Sequence, residues 1–503
     1  MREINLGYIF GRRQFNFGLF NPTVVICLGV LVLIGYLISS ESYIFLGVMI
    51  FAVFALASFH ANPEILLIYL LVISVPFFNF VLFPLNKLIG GVGNVPVHSG
   101  HILAVILIFL VAIRMIAKIG EIKIGAIGKA ILLIVLVYFV SIIGVYQAYH
   151  NFIGYFKSLT NMLLFAMLYF AFTNSITRQD TIIKIFKIWI ITSLLVALYG
   201  FYQLLGYFIS SLPLIPGTEI IEYGGIARVS SILKESVPFT AYLVYPIIFI
   251  SVLVAEKQMF PFKTLKANVI TLSILITSFI LAFTMTGFLY LLIFTLLFSS
   301  SQLSFSKGGL RKIWLPVSIV SAFLIVSVST DFGQMFQSRF SSALTITDSS
   351  AIVRVHTVSI AWQEFLNHPL FGIGAGNFPS FTAVGLFPGA VYYELHHADV
   401  MFFNVLAEMG IVGVIALVVF FVTLLSALRK VIRLNKANDL NFHISRGLYF
   451  MLALYLISNL YSGGWLAFWV WFNFSIIGSW VLLEGRRLKE IFDSKGKIWT
   501  IRD

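Results

Sequence analysis

The chain has 503 residues, of which 60% are hydrophobic and 11% charged, whereas a soluble domain carries about 25% charged residues. That composition excludes an ordinary soluble enzyme and points to a polytopic membrane protein. A single cysteine, Cys27, excludes an internal disulfide framework and a cysteine metal cluster. The net charge of +13 does not form a nucleic-acid patch, because the basic residues are spread along the connections between apolar runs.

A membrane-crossing helix needs roughly 20 apolar residues. Read against polar breaks, the sequence has fourteen candidate runs, starting near residues 23, 43, 65, 101, 129, 152, 181, 239, 267, 286, 313, 400, 447 and 466. The fold expected is therefore an all-α polytopic integral membrane protein with twelve to fourteen spans in a single transmembrane domain, residues 1–503. The long run 267–300 is divided at Thr286-Gly287, where glycine weakens a helix, and the run at 400–428 is expected to start with an interfacial turn. The first run follows a polar stretch and lacks a small-residue cleavage site, so it is expected to remain as an anchor.

Lysine and arginine collect on the cytoplasmic side of membrane proteins. With the amino terminus inside, all of them fall on inner segments except Lys87, Lys157, Arg228, Lys234, Arg339 and Arg354. Both termini are then cytoplasmic, and the outer side is poor in cations. Two long loops lie on that side, residues 211–238 and 329–398. Long ordered loops usually carry function.

The smaller loop ends in EYGGIARVSSILKESVPF, where Arg228 and Lys234 precede a membrane helix. Cations so placed suit a lipid pyrophosphate, the arginine as a bidentate donor and the lysine as a point charge. Lys157 interrupts the apolar run FIGYFKSLTNMLLF. It either snorkels to the surface or contacts substrate. In the larger loop, Val355, Val358, Trp362 and Leu366 recur at helical spacing, predicting an amphipathic helix over 350–367 that ends at Pro369. Arg354 lies in its first turns and serves either a substrate phosphate or a lipid headgroup. The turn PLFGIGAGNF follows, with Gly372, Gly374 and Gly376. No βαβ unit surrounds it, so it is no dinucleotide fingerprint, and a tight turn under the helix is the plain reading. Then YYELHHADVMFFNVLAEMGIVG brings His396, His397, Asp399 and Glu408 to the start of a membrane helix. Such groups are costly near a bilayer and suit proton transfer; HHxD alone is a poor zinc pattern, and no metal is expected. Helix capping in water is the alternative.

Three stretches resemble the O-antigen ligase and O-antigen polymerase superfamily of bacterial polysaccharide assembly: RVSSILKESVPFTAYL; Arg354 followed by AWQEFLNHPLFGIGAGNF; and the histidine-rich approach to LAEMGIVG. Two positions depart from the family pattern. Eleven residues before the first glycine of GxxG, where the family commonly has histidine, stands Asp399, with His397 and His396 just upstream. Where a Ser-Arg-Gly often opens a central helix, this chain reads Met285-Thr286-Gly287.

The resemblance implies a GT-C-like, cofactor-free membrane glycosyltransferase of the bacterial inner membrane, acting on its outer face. The donor would be a glycan on undecaprenyl pyrophosphate, held by Arg228 and Arg354 with Lys234 or Lys157. His397, His396, Asp399 and Glu408 would form the catalytic group, with the acceptor a glycan or glycolipid hydroxyl. A chain-length regulator protein is an implied partner. Polymerase is the first expectation, ligase the second. A lipid-linked oligosaccharide flippase or other transporter is the rival class, but such proteins frequently show internal repeats and none is visible.

Overall fold

The computed structural model describes residues 62–77, 81–84, 96–117, 122–148, 152–209, 212, 214–215, 218, 220–223, 226–305, 341, 349–378, 381–382, 394–395, 400–435, 439–460 and 467–494. The spans expected near 23, 43 and 313 lie outside these residues, as do Lys87, Arg339, His396, His397 and Asp399.

Helices dominate. They are α1 (Pro63–Ser74), α2 (Ser99–Ile116), α3 (Ala126–Val140), α4 (Ile142–Gln147), α5 (Phe152–Ser175), α6 (Gln179–Phe208), α7 (Ser236–Ala255), α8 (Leu265–Leu281), α9 (Met285–Phe305), α10 (Ser349–Asn367), α11 (Met401–Leu434), α12 (Leu440–Ser458) and α13 (Phe468–Ser494). Among the described residues, six segments are long and apolar enough to cross a membrane: Ala126–Gln147 (α3 with α4), α5, α6, α7, α11 and α12. Local chemistry sets several starts. Pro63 opens α1, where a missing N–H costs nothing. Thr264 caps α8 by accepting from the Ala267 N–H at 3.2 Å, and Asp439 caps α12 through the Asn441 N–H at 3.3 Å.

The polar contacts sort the helix ends into two sets. At one end, Arg114 of α2 donates to Glu64 of α1 at 2.7 Å, and Ser175 at the end of α5 donates to the same carboxylate. Arg446 of α12 pairs with Glu256 beyond α7 at 3.1 Å. Glu484 of α13, fully buried, accepts from Gln179 (2.9 Å), Asn441 (3.1 Å), Asn435 (3.3 Å) and Arg487 (2.8 Å), tying α6, α11, α12 and α13 together. We call this the basic end. The opposite, loop end carries three antiparallel ribbons absent from the all-helical expectation. These are β1 (Val81–Pro84) with β2 (Pro96–His98), β3 (Ile221–Tyr223) with β4 (Ile226–Arg228), and β5 (Phe381–Thr382) with β6 (Glu394–Leu395). Among the described residues, the lysines and arginines of the loop end are Lys157, Arg228, Lys234 and Arg354; all others lie toward the basic end.

Between the ends the core is aromatic. Trp471 of α13 stacks between Phe165 of α5 and Phe420 of α11, each at 6.0 Å, and Phe186 of α6 stacks on Phe249 of α7 at 5.1 Å. α11 packs on α3, α12 and α13, while α7 packs on α8 and α12. Lipid is as apolar as these side chains, so close packing rather than water exclusion holds the helices together. Their serines and threonines return hydroxyl bonds to carbonyls a turn back, as Ser475 does to Trp471 at 2.8 Å.

Candidate active site at the loop end

Two of the spans are broken. α11 has a non-helical residue at Gly410, with φ 62° and ψ −160°. A straight helix would pair the N–H groups of Ile411 and Val412 with the carbonyls of Ala407 and Glu408. The break frees all four groups at a depth where unsatisfied backbone is costly. The glycine turn supplies the replacements. Pro369 O accepts from Ile411 N–H at 3.0 Å and Leu370 O from Val412 N–H at 3.4 Å; Ile373 N–H donates to Ala407 O and Gly374 N–H to Glu408 O, each at 2.9 Å. The turn thus stands in for a missing piece of helix.

On its far side the turn meets the other break, at Ser141 between α3 and α4. Ala375 N–H donates to Ser141 Oγ at 3.3 Å. A Cβ at Gly144 would lie 2.8 Å from Gly374 N, and one at Gly376 would lie 2.5 Å from Gly154 O and 2.7 Å from Ser158 Cβ of α5. Gly372, Gly374 and Gly376 all have positive φ, 64°, 92° and 75°. Any side chain there is both strained and in collision.

Glu408 is 3% exposed. Its carboxylate accepts from Phe378 N–H at 3.4 Å, with the Gly376 N–H and the Asn404 side chain beside it. Buried Tyr138 is its electrostatic neighbour. Asn377 closes the turn through Nδ2 to Ile373 O at 3.2 Å. Lys157 is exposed on α5, the helix whose Gly154 and Ser158 meet the turn.

α10 leads directly into the turn and packs on α11. It buries Val353, Thr357 and Ala361, whereas Val355, Trp362 and Leu366 are 54%, 46% and 59% exposed. The helix therefore lays its small residues on α11 and turns its large apolar stripe outward. Arg354 sits on the flank, half-buried, and its Nε is buried without a hydrogen-bond partner among the described residues.

Arg228 and Lys234 form a second group, over α6, α7 and the α8–α9 break. Gln203 of α6, fully buried, accepts from the N–H groups of Ser230 (3.0 Å) and Ser231 (2.8 Å) and donates to Thr218 O (2.5 Å) and Ser230 Oγ (3.1 Å). That amide holds down the loop carrying both cations. Arg228, at the end of β4, donates from Nε to Ala282 O at 3.5 Å, and Val229 N–H donates to Leu281 O at 3.2 Å. Lys234 has φ 65° and ends the short 3-10 turn Ser231–Leu233. The glycine turn thus packs on Glu408 and follows α10, which carries Arg354 in its first two turns; Lys157 is on α5, which the turn also meets, and Arg228 and Lys234 are on the loop held by Gln203. The segment 396–399, bounded by β6 and by Val400, contains His396, His397 and Asp399 and is not among the described residues. Among those that are, no three His, Cys, Asp or Glu side chains gather into a metal site.

Sequence reading did not single out Gln203, Ser141, Tyr138 or Ser158. The signal for Gln203 was available: an amide inside FYQLLGYF is expensive unless bonded.

Residues 270–418 match a family model described as O-antigen ligase. The match spans most of α8, all of α9 and α10, the glycine turn and α11 through its break, and bears out the resemblance to the O-antigen ligase and polymerase superfamily. No curated protein matches the chain.

Proposed function

From a chain whose residues 270–418 match the O-antigen ligase family, we propose a membrane glycosyltransferase that moves a glycan from undecaprenyl pyrophosphate to an acceptor sugar hydroxyl. The observation that supports it most is the placing of cations. Among the described residues, those of the loop end lie on the loop latched by Gln203 (Arg228, Lys234), on α10 (Arg354) and on α5 (Lys157), and the Nε of Arg354 is buried with no hydrogen-bond partner among the described residues. An anion supplied by substrate would fill that need.

In this mechanism the acceptor oxygen attacks the anomeric carbon from the face opposite the pyrophosphate. The new C–O bond forms as the old one breaks, the electron pair leaves with the lipid pyrophosphate, and the acceptor proton passes to His397, His396 or Asp399. Configuration inverts. Charge grows on the leaving group, and Arg228 and Arg354, aided by Lys234 or Lys157, stabilise it, which is the role a metal plays in many other phosphate-leaving reactions. The fold reading that goes with this is GT-C-like, with fourteen spans, both termini in the cytoplasm and the loop end facing the periplasm or cell exterior.

Polymerase is our first reading, since fourteen spans leave room for two lipid-linked substrates, and ligase is the second. The test is reconstitution of purified protein with a lipid-pyrophosphate oligosaccharide and either a second copy of that donor or a core-lipid acceptor. A ladder of longer lipid-linked chains establishes a polymerase. Transfer to the core acceptor alone establishes a ligase. Donor crossing the bilayer without either product overturns the enzyme in favour of a flippase.

A further inference from the structure

We propose that Glu408 is a positioning residue, whose carboxylate seats the glycine turn in the gap between the two broken spans and so fixes α10 and Arg354 for the donor. The proposal deepens the transferase reading and rests on it for the role of Arg354.

Glu408 stands at the foot of the helix that follows the histidine segment, where a proton acceptor would be sought. Its surroundings give it other work. The carboxylate accepts from the Phe378 N–H, and the Gly376 N–H and the Asn404 side chain lie beside it. Its own carbonyl takes the Gly374 N–H at 2.9 Å. One residue therefore grips the turn twice, by main chain near the start and by side chain near the end. At 3% exposure it presents no open edge to an acceptor hydroxyl.

The turn has few other holds past Gly374. Ala375 reaches Ser141 Oγ at 3.3 Å, and Asn377 bonds back within the turn. Without the carboxylate, the Phe378 N–H loses its acceptor in a buried place and the Gly376 N–H loses the charge beside it, which favours another path for the segment. α10 ends at Asn367, two residues before the first turn carbonyl that bonds α11, so a shift of the turn is carried into the helix that bears Arg354.

A glutamine keeps an accepting oxygen at the same reach and removes the acid–base function; an alanine removes both. The experiment compares Glu408→Gln and Glu408→Ala in the purified full chain, with three readouts. These are amide exchange of the peptide covering Gly376 and Phe378, binding of undecaprenyl pyrophosphate, and glycan transfer. We expect faster exchange, by about tenfold or more, in the alanine variant, with donor affinity reduced by a similar factor and both recovered in the glutamine variant. The loss in donor affinity should not add to that of Arg354→Ala but should add to that of Arg228→Ala, a pattern that general destabilisation does not produce. A glutamine variant with native exchange and donor affinity but no transfer would make Glu408 an acid–base group and overturn the proposal. Unchanged exchange in the alanine variant would overturn it as well. If the alanine variant does not fold, a glutamine variant with exchange as fast as that of unfolded chain would do the same. Wild-type protein that fails to bind undecaprenyl pyrophosphate would instead remove the transferase reading, and the exchange comparison would still decide whether Glu408 seats the turn.

Discussion

Arg354 combines a half-buried guanidinium with a nitrogen that finds no acceptor among the described residues. Removing a donor aimed at developing charge lowers kcat by about 100-fold to 1,000-fold in enzymes that depend on it. Arg354→Ala is expected to fall in that range in the reconstituted transfer assay, while Arg339→Ala, inside the matched residues but outside the three stretches that carry the resemblance, stays near wild type. Full activity in Arg228→Ala with Arg354→Ala together would remove the pyrophosphate site. For the proton acceptor, His397→Ala and Asp399→Asn are measured separately: a loss of at least about 100-fold in one identifies the base, and normal rates in both dismiss the two of them. Arg228, Arg354, Lys157 and Lys234 stand out in sequence because, with the amino terminus taken as inside, they fall outside the segments that hold most of the lysines and arginines. Gln203 was not singled out, because its partners at Thr218, Ser230 and Ser231 follow 15 to 28 residues later in a loop whose path the helix does not foretell.

The elements were read with uneven success, and the reason is the range of the signal. The extent of α10 is written locally, in a helical repeat closed by proline, whereas the division of α8 from α9 falls at residues 282–284, just before the expected Thr286-Gly287, which lies inside α9. The break at Gly410 is different. The segment from Met401 to Leu434 reads as one apolar helix, and only the turn residues some 36 to 41 positions earlier complete the bonds that the break opens. The outward stripe of α10 was equally hidden, since spacing shows that a stripe exists and not which side is covered. Substitution tests the seam directly. Gly374→Ala combines a left-handed backbone, costing about 1–2 kcal/mol, with a Cβ against Val145. It should lower the detergent-solubilised unfolding temperature by several degrees, whereas Leu370→Ala, at an exposed side chain, should not.

Across the whole molecule the two ends are built differently. The basic end is a network of side chains around Glu484, and truncating one partner of a buried ion pair costs about 3–5 kcal/mol. Glu484→Ala is accordingly expected to lower thermal stability sharply while leaving the transfer rate per folded molecule unchanged at low temperature. Orientation is tested in a Cys27→Ser background with single cysteines replacing exposed Glu222 or exposed Lys263: an impermeant maleimide added outside should label the first and not the second. The loop end is joined mainly by peptide groups, since the seam between the turn and α11 has four main-chain hydrogen bonds beside the side-chain bond of Glu408. Main-chain bonds are indifferent to which side chain a residue bears, provided that it fits. A saturation scan of the segment should therefore give a comb, with no tolerance at Gly372, Gly374, Gly376 and Gly410 and broad freedom at Leu370 and Ile411, whose side chains point outward. Diversity in what the enzyme acts upon can then accumulate on the residues around the seam without disturbing the joint itself.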